Sequence, residues 1–221
     1  VLQLPTARTA AGATVVCAQS EILAINNTQL LVLARDAGFG HTYPIATSVY
    51  RKILIYDIGG ATNIAGTKFD EPGTPLAPAG VLDTSIRPAA RAEFIDLNLP
   101  AQLAKFGLRN GPTDDNNNLS EKWEALTLVP ALDPAAPNDY FLFVGNDNDF
   151  ITQNGLQDGV AYAHPSGMEN DSMILVYRLT LPGRLLNVSS RAQAGTGALA
   201  HIVGFVVDGP RPKTLLIRGA G

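Results

Sequence analysis

Short runs of aliphatic, β-branched and aromatic residues recur along the chain, separated by clusters of glycine, proline, asparagine and aspartate. Apolar runs of that length, bounded by turn residues, read as strands. They fall at residues 21–25, 29–34, 49–58, 93–97, 123–129, 140–144 and 173–181, with a further set at 185–189, 201–207 and 213–217. The one predicted helix is 100–106, because Pro100 suits a first helical turn and Gly107 suits a helix end. The predicted fold class is all-β.

The order of these runs repeats. Glu21-Ile22-Leu23-Ala24-Ile25 leads to Leu30-Leu31-Val32-Leu33-Ala34-Arg35-Asp36 and then to Lys52-Ile53-Leu54-Ile55-Tyr56-Asp57. Later, Glu124-Ala125-Leu126-Thr127-Leu128 leads to Phe141-Leu142-Phe143-Val144-Gly145-Asn146-Asp147 and then to Met173-Ile174-Leu175-Val176-Tyr177-Arg178. Each unit is an acid entering a strand, an apolar strand ending in an acid, and a third strand carrying a tyrosine. This is the pattern of β-propeller-like blades. A propeller needs about four to eight blades of roughly 40–50 residues. Because residues 59–120 form a long insertion, the chain is expected to hold a partial set, two to three blades, and a β-rich C-terminal segment. The remainder of a parent chain would complete the fold.

Composition narrows the function classes. Among 221 residues, 16 Lys and Arg stand against 20 Asp and Glu, a net charge of −4, which disfavours a nucleic-acid partner. The single cysteine, Cys17, excludes an intrachain disulfide and a multi-cysteine zinc site. No apolar run approaches the roughly 20 residues of a membrane-spanning helix. The chain opens at Val1 with no basic segment ahead of a long apolar core, and it stops just after the strand-like run 213–217, where a turn and another strand are expected. A fragment of a longer protein is the expectation.

The densest polar cluster is Gly145-Asn146-Asp147-Asn148-Asp149-Phe150, directly after an apolar strand. Alternating Asp and Asn supply the oxygen ligands that calcium prefers, although the EF-hand spacing is absent; the alternative is an Asx-rich turn that holds its own backbone. The polar loop 111–118 poses the same choice between a solvated excursion and cation binding. Glu21 and Glu124 occupy equivalent places in the two units, as do Asp36 and Asp147. Convergence of these four at one channel mouth would recruit a cation or raise a carboxyl pKa, whereas the alternative has each acid capping its own strand. Nucleophile motifs are weak: no Gly-x-Ser-x-Gly elbow occurs, and His41, His164 and His201 lack triad or metal spacing. Cys17, within Val15-Val16-Cys17-Ala18, reads as a buried structural thiol, and Gly38-Phe39-Gly40 is too short for a phosphate loop. Asn26, Asn118, Asn170 and Asn187 each begin an N-glycosylation sequon, which matters in a eukaryotic secretory pathway.

The runs Leu31-Val32-Leu33-Ala34-Arg35-Asp36-Ala37-Gly38-Phe39-Gly40 and Lys52-Ile53-Leu54-Ile55-Tyr56-Asp57-Ile58-Gly59-Gly60-Ala61-Thr62-Asn63-Ile64 resemble the phytase-like domain, or esterase-like activity of phytase, family. Glu121-Lys122-Trp123-Glu124-Ala125-Leu126 and Phe143-Val144-Gly145-Asn146-Asp147-Asn148-Asp149-Phe150 resemble its glutamate strand and acidic loop. The resemblance covers roughly residues 21–181. It implies a secreted, periplasmic or cell-surface propeller-like domain that hydrolyses a phosphoester, on a small molecule or a polymer.

Carried onto this chain, the resemblance points to Arg35, Asp36, Glu124, Asn146, Asp147 and Asp149. A water activated by a metal, calcium being the candidate, would attack, with Asp147, Asp149, Asn146 and Glu21 as metal ligands, Glu124 as ligand or general base, Asp36 as a further catalytic residue, and Arg35 stabilising phosphate charge. Two departures stand out: Ala125 replaces the usual glycine after the motif glutamate, and the family's N-terminal part is absent. The tail from Arg184 resembles the start of a β-rich module of large secreted bacterial proteins, and Pro182-Gly183 marks the junction. The expected division is thus 1–182, a phytase-like domain, and 183–221, the start of a second module. The competing reading is a non-catalytic binding or scaffold propeller whose acidic loops are calcium-held turns.

Overall fold

A computed structural model describes residues 1–8, 12–36, 48–110 and 117–181. The strands predicted at 185–189, 201–207 and 213–217, the second module at 183–221, the Gly38-Phe39-Gly40 loop, His41, His201 and Asn187 lie outside the described residues. The chain divides into two compact units, Val1–Thr127 with Leu142–Tyr177, and Leu128–Phe141 with Arg178–Gly221. The described residues are built mainly from strands, and the fold class is all-β.

The chain begins with a short antiparallel hairpin, β1 (Thr6–Arg8) and β2 (Thr14–Val16). Next come β3 (Ala18–Ala24), β4 (Gln29–Arg35), β5 (Arg51–Asp57) and β6 (Ala90–Asp96), which form one antiparallel sheet in sequence order. The near-continuous apolar run in β4 has a physical basis: Leu31, Val32, Leu33 and Ala34 are all fully buried, so the strand shows no polar alternation. Its register sets Leu31 opposite Ile55, Val32 opposite Leu54 and Leu33 opposite Ile53. One face closes over a cluster of Cys17, Val32, Ala34, Leu54, Tyr56 and Ala89, and the Tyr56 hydroxyl donates to the Gln3 carbonyl at 2.8 Å, fastening the N-terminal segment. The β3–β4 turn is closed by Asn26, whose Oδ1 accepts from the Thr28 and Gln29 N–H groups at 3.0 and 2.9 Å.

Between β5 and β6 the proline-rich insertion makes two 3-10 turns, Lys68–Asp70 and Pro78–Gly80, and no strand. The predicted helix forms as α1 (Pro100–Leu103), tightens into a 3-10 turn over Ala104–Phe106, and ends at Gly107, whose φ of 71° is the left-handed cap that glycine tolerates. Leu103 points inward and is buried.

The second repeat follows as β7 (Trp123–Pro130), β8 (Asp139–Asn146), a small hairpin of β9 (Gly155–Gln157) and β10 (Val160–Tyr162), and β11 (Ile174–Thr180). β8 lies between β7 and β11, as β4 lies between β3 and β5. The acid-ended apolar strand is therefore the middle one of both repeats. Tyr140, Leu142 and Val144 alternate inward along β8. The β9–β10 hairpin turns on Asp158 and Gly159, with φ of 52° and 79°, the positive pair of a type I′ turn. No described helix is long and apolar enough to cross a membrane.

Candidate functional site

The ends of β4 and β8 and the start of β7 bring a set of charged side chains together within the first unit. Arg35, the last residue of β4, reaches from its own sheet to Glu124, the second residue of β7, and its Nη2 forms a salt bridge with Glu124 Oε1. The same guanidinium donates from Nε to Ser20 Oγ at 3.0 Å and from Nη1 to the Asp36 carbonyl at 3.2 Å. Two residues before Glu124, Lys122 places its ammonium on both carboxylates of the acidic loop, 2.8 Å from Asp147 Oδ2 and in contact with Asp149 Oδ1. The group is partly open to solvent: Asp147 is 45% exposed, Lys122 16%.

The loop's own geometry explains its composition. The Asp149 N–H donates to Asp147 Oδ1 at 2.8 Å and the Phe150 N–H to Asn148 Oδ1 at 2.9 Å, two successive Asx turns. Asp149 and Phe150 both have positive φ, 53° and 55°. Aspartate tolerates that region through such local bonding, and stacking of the Phe150 ring on Tyr162 at 4.7 Å steadies the second position. The Asx-turn alternative is thus realised in this loop.

The electrostatics run in one direction. Hydrogen bonds to Asp147 and then Asp149 hold the Lys122 pKa well above its ordinary value, and Glu124 adds to the effect. The Asp147 carboxyl is held below the usual range, first by Lys122, then by the Asp149 N–H, with a contribution from Arg35. Near neutral pH Lys122 therefore stays charged and Asp147 stays ionised.

Asp36 works differently. It is buried, and its Oδ1 accepts from the Ser48 hydroxyl, while Oδ2 accepts from the Val49 and Tyr50 N–H groups at 2.6 and 3.1 Å. Both oxygens hold the backbone that leads into β5. Asn146 is likewise committed: its Oδ1 accepts from the Met173 N–H at 2.5 Å, and its Nδ2 donates to Ser120 Oγ at 2.9 Å and to the Asp171 carbonyl at 3.1 Å. Glu21, in β3, accepts from the neighbouring Ile22 N–H at 2.8 Å. The structure thus unites Arg35 with Glu124, and Asp147 with Asp149 through Lys122. It gives Glu21, Asp36 and Asn146 separate partners. No group of three or more His, Cys, Asp or Glu side chains suited to a metal occurs among the described residues.

Sequence reasoning missed the buried pair that includes the residue before Lys122. Glu121 and Arg51 are almost wholly buried, with Arg51 Nη2 3.9 Å from Glu121 Oε1. That oxygen also accepts from the Ser48 N–H at 2.9 Å, and Arg51 Nη1 donates to Asn98 Oδ1 at 2.9 Å. These two hydrogen bonds and the ion-pair contact offset part of the cost of burying the two charges. Lys122, with φ of 24°, was likewise read only as part of a motif. The lone available signal was the string Glu121-Lys122-Trp123-Glu124, in which charged residues flank a tryptophan. That ring is fully buried and donates from Nε1 to the Ser120 carbonyl at 2.6 Å. A cavity of about 610 Å³ lies elsewhere in the unit, lined by Thr28, Asp57, Gly59, Gly60 and Arg87, and none of the predicted site residues borders it.

No family model matches the chain, and no solved structure matches it. It is similar to an uncharacterized secreted protein of Arthroderma benhamiae, with 36% identity over 165 residues, which is 71% of this chain and 32% of that protein. The chain spans about a third of the length of the curated relative it matches.

Proposed function

We propose that this chain is part of a phytase-like β-rich domain in a secreted protein, and that its charged cluster serves a binding or scaffold role, locking strand ends together, rather than catalysis. The motif order around Arg35, Glu124 and Asp147 supports the family reading, and similarity to a secreted fungal protein supports export. One observation carries the role: each carboxylate predicted for chemistry already accepts a hydrogen bond from the chain itself. Lys122 holds Asp147 and Asp149, Arg35 holds Glu124, the β5 approach holds Asp36, and the Ile22 N–H holds Glu21. Calcium takes about six to eight oxygens. In this arrangement the donor set does not fit it, because the Lys122 ammonium stands where a cation would bridge the two aspartates and the Asn146 oxygen is occupied.

Phosphoester hydrolysis is the second reading. It draws on the gathering of Arg35, Lys122, Glu124, Asp147 and Asp149 from separate segments into one partly exposed place. The parent protein, assayed on phosphomonoesters and phosphodiesters with and without calcium, separates the two. The scaffold reading expects no calcium-dependent turnover. Turnover that requires calcium and disappears in a folded Asp147→Ala variant would overturn it in favour of the second.

A further inference from the structure

The three N-glycosylation sequons within the described residues differ sharply in their surroundings. Asn118 is fully buried, as is Ser120 of the same sequon, and Asn170 is 1% exposed. The Asn170 carboxamide oxygen accepts from Ser120 Oγ at 2.9 Å, inside the network that also holds Asn146. A bulky hydrophilic glycan cannot be seated at either position in the folded chain. Asn26 is the opposite case. It stands with Asn27 and Thr28 at the exposed tip of the β3–β4 turn. Its Oδ1 accepts from the Thr28 hydroxyl at 3.3 Å as well as from the Thr28 and Gln29 N–H groups, so carboxamide and sequon hydroxyl are already in contact. Its Nδ2 meets the Gln29 side chain on the surface at 2.7 Å.

We propose that Asn26 is an N-glycosylation site of this protein and that Asn118 and Asn170 stay unmodified. The inference rests on the proposed export above and on the similarity to a secreted fungal protein, which places the chain in a eukaryotic secretory pathway. The donor is a lipid-pyrophosphate-linked oligosaccharide. A bond forms between Asn26 Nδ2 and the sugar C1, the C1–oxygen bond to the pyrophosphate breaks, the lipid pyrophosphate leaves with that electron pair, and a base of the transferase takes one Nδ2 proton. The glycan then projects from the turn, where no packed side chain is displaced.

The test expresses the full parent protein in a fungal secretory host in two forms, with its own start and with a host leader. Endoglycosidase treatment and peptide mass spectrometry read each sequon. Expected is a glycan on the Asn26 peptide in both forms and unmodified Asn118 and Asn170 peptides. Thr28→Ala abolishes the Asn26 glycan while leaving the two backbone hydrogen bonds to Asn26 Oδ1 in place, and Asn26→Gln abolishes it too. An unmodified Asn26 in leader-routed protein, or a glycan on Asn118 or Asn170 in folded secreted protein, overturns the site assignment. A glycan on leader-routed protein together with intracellular retention of the native form overturns the export reading instead, and with it the modification of the native protein.

Discussion

Replacing Lys122 with methionine tests the ionic lock most directly. The substitution keeps the length and apolar stem of the side chain and the Cβ at the positive-φ position, and it removes the ammonium that bridges Asp147 and Asp149. Hydrogen bonds to charged groups contribute about 1.5–3 kcal/mol when sheltered, and exposed ion pairs roughly 0.2–1 kcal/mol. The partners here are 45% and 24% exposed, between those limits, so each contact is assigned about 1 kcal/mol and the pair about 2 kcal/mol. For a chain of this size that corresponds to a fall in Tm of roughly 4–8 °C. Chemical denaturation at pH 7 with the single tryptophan as reporter measures it, since Trp123 is buried in the same segment.

The pH dependence has a definite sign. Asp147 has a folded pKa below its ordinary 3.8, so its stabilisation is present above that value and is lost as pH falls through the lowered folded value. Lys122→Met flattens that acid limb. Calcium should raise the Tm of the variant, whose two carboxylates lack a cation, and leave the wild type unchanged. A variant as stable as wild type, or a wild-type Tm that rises with calcium and falls with a chelator, would refute the lock.

Three further outcomes follow from the same geometry. Asp36→Ala leaves the Ser48 hydroxyl and the Val49 and Tyr50 N–H groups without their acceptor in a buried place, and it costs about 3 kcal/mol by urea denaturation. Cys17 has its thiol pKa pushed up to about 11, by burial and then by the Asp36 charge, so a thiol reagent at pH 8 leaves it unmodified until the chain unfolds. Its share of stability is full below the ordinary 9.0 and fades as pH rises towards about 11. Gly159→Ala meets no atom within 4 Å but forces an alanine to a φ of 79°, which costs about 1 kcal/mol and shows as faster amide exchange in the β9–β10 hairpin.

The longer strands were legible because burial writes itself into composition. The centres of β4 and β5, residues 30–34 and 53–56, are apolar because both strands are nearly enclosed, and β8 is apolar over residues 140–144 although its burial alternates. The helix bounds were legible from Pro100 and Gly107 for reasons of backbone geometry alone. The hairpins β1–β2 and β9–β10 were missed, since three-residue strands carry too little periodicity to rise above loop composition. Asp158-Gly159 was the available signal for the second, as that dipeptide supplies two positive φ angles in succession.

By itself the sequence determined the all-β class, the repeat of an acid-ended middle strand, and the list of carboxylates worth following, because each of these depends on neighbours in the chain. Tertiary structure decided what those carboxylates do. Arg35 and Glu124 are 89 positions apart, and Lys122 and Asp149 are 27 apart, so their pairing depends on how strand ends are brought together in space. The same holds for burial of Asn118 and Asn170 against exposure of Asn26, three sequons of one pattern whose access to solvent is set by packing. Local propensity sets the strands, whereas charge pairing and access to water are properties of the assembled fold.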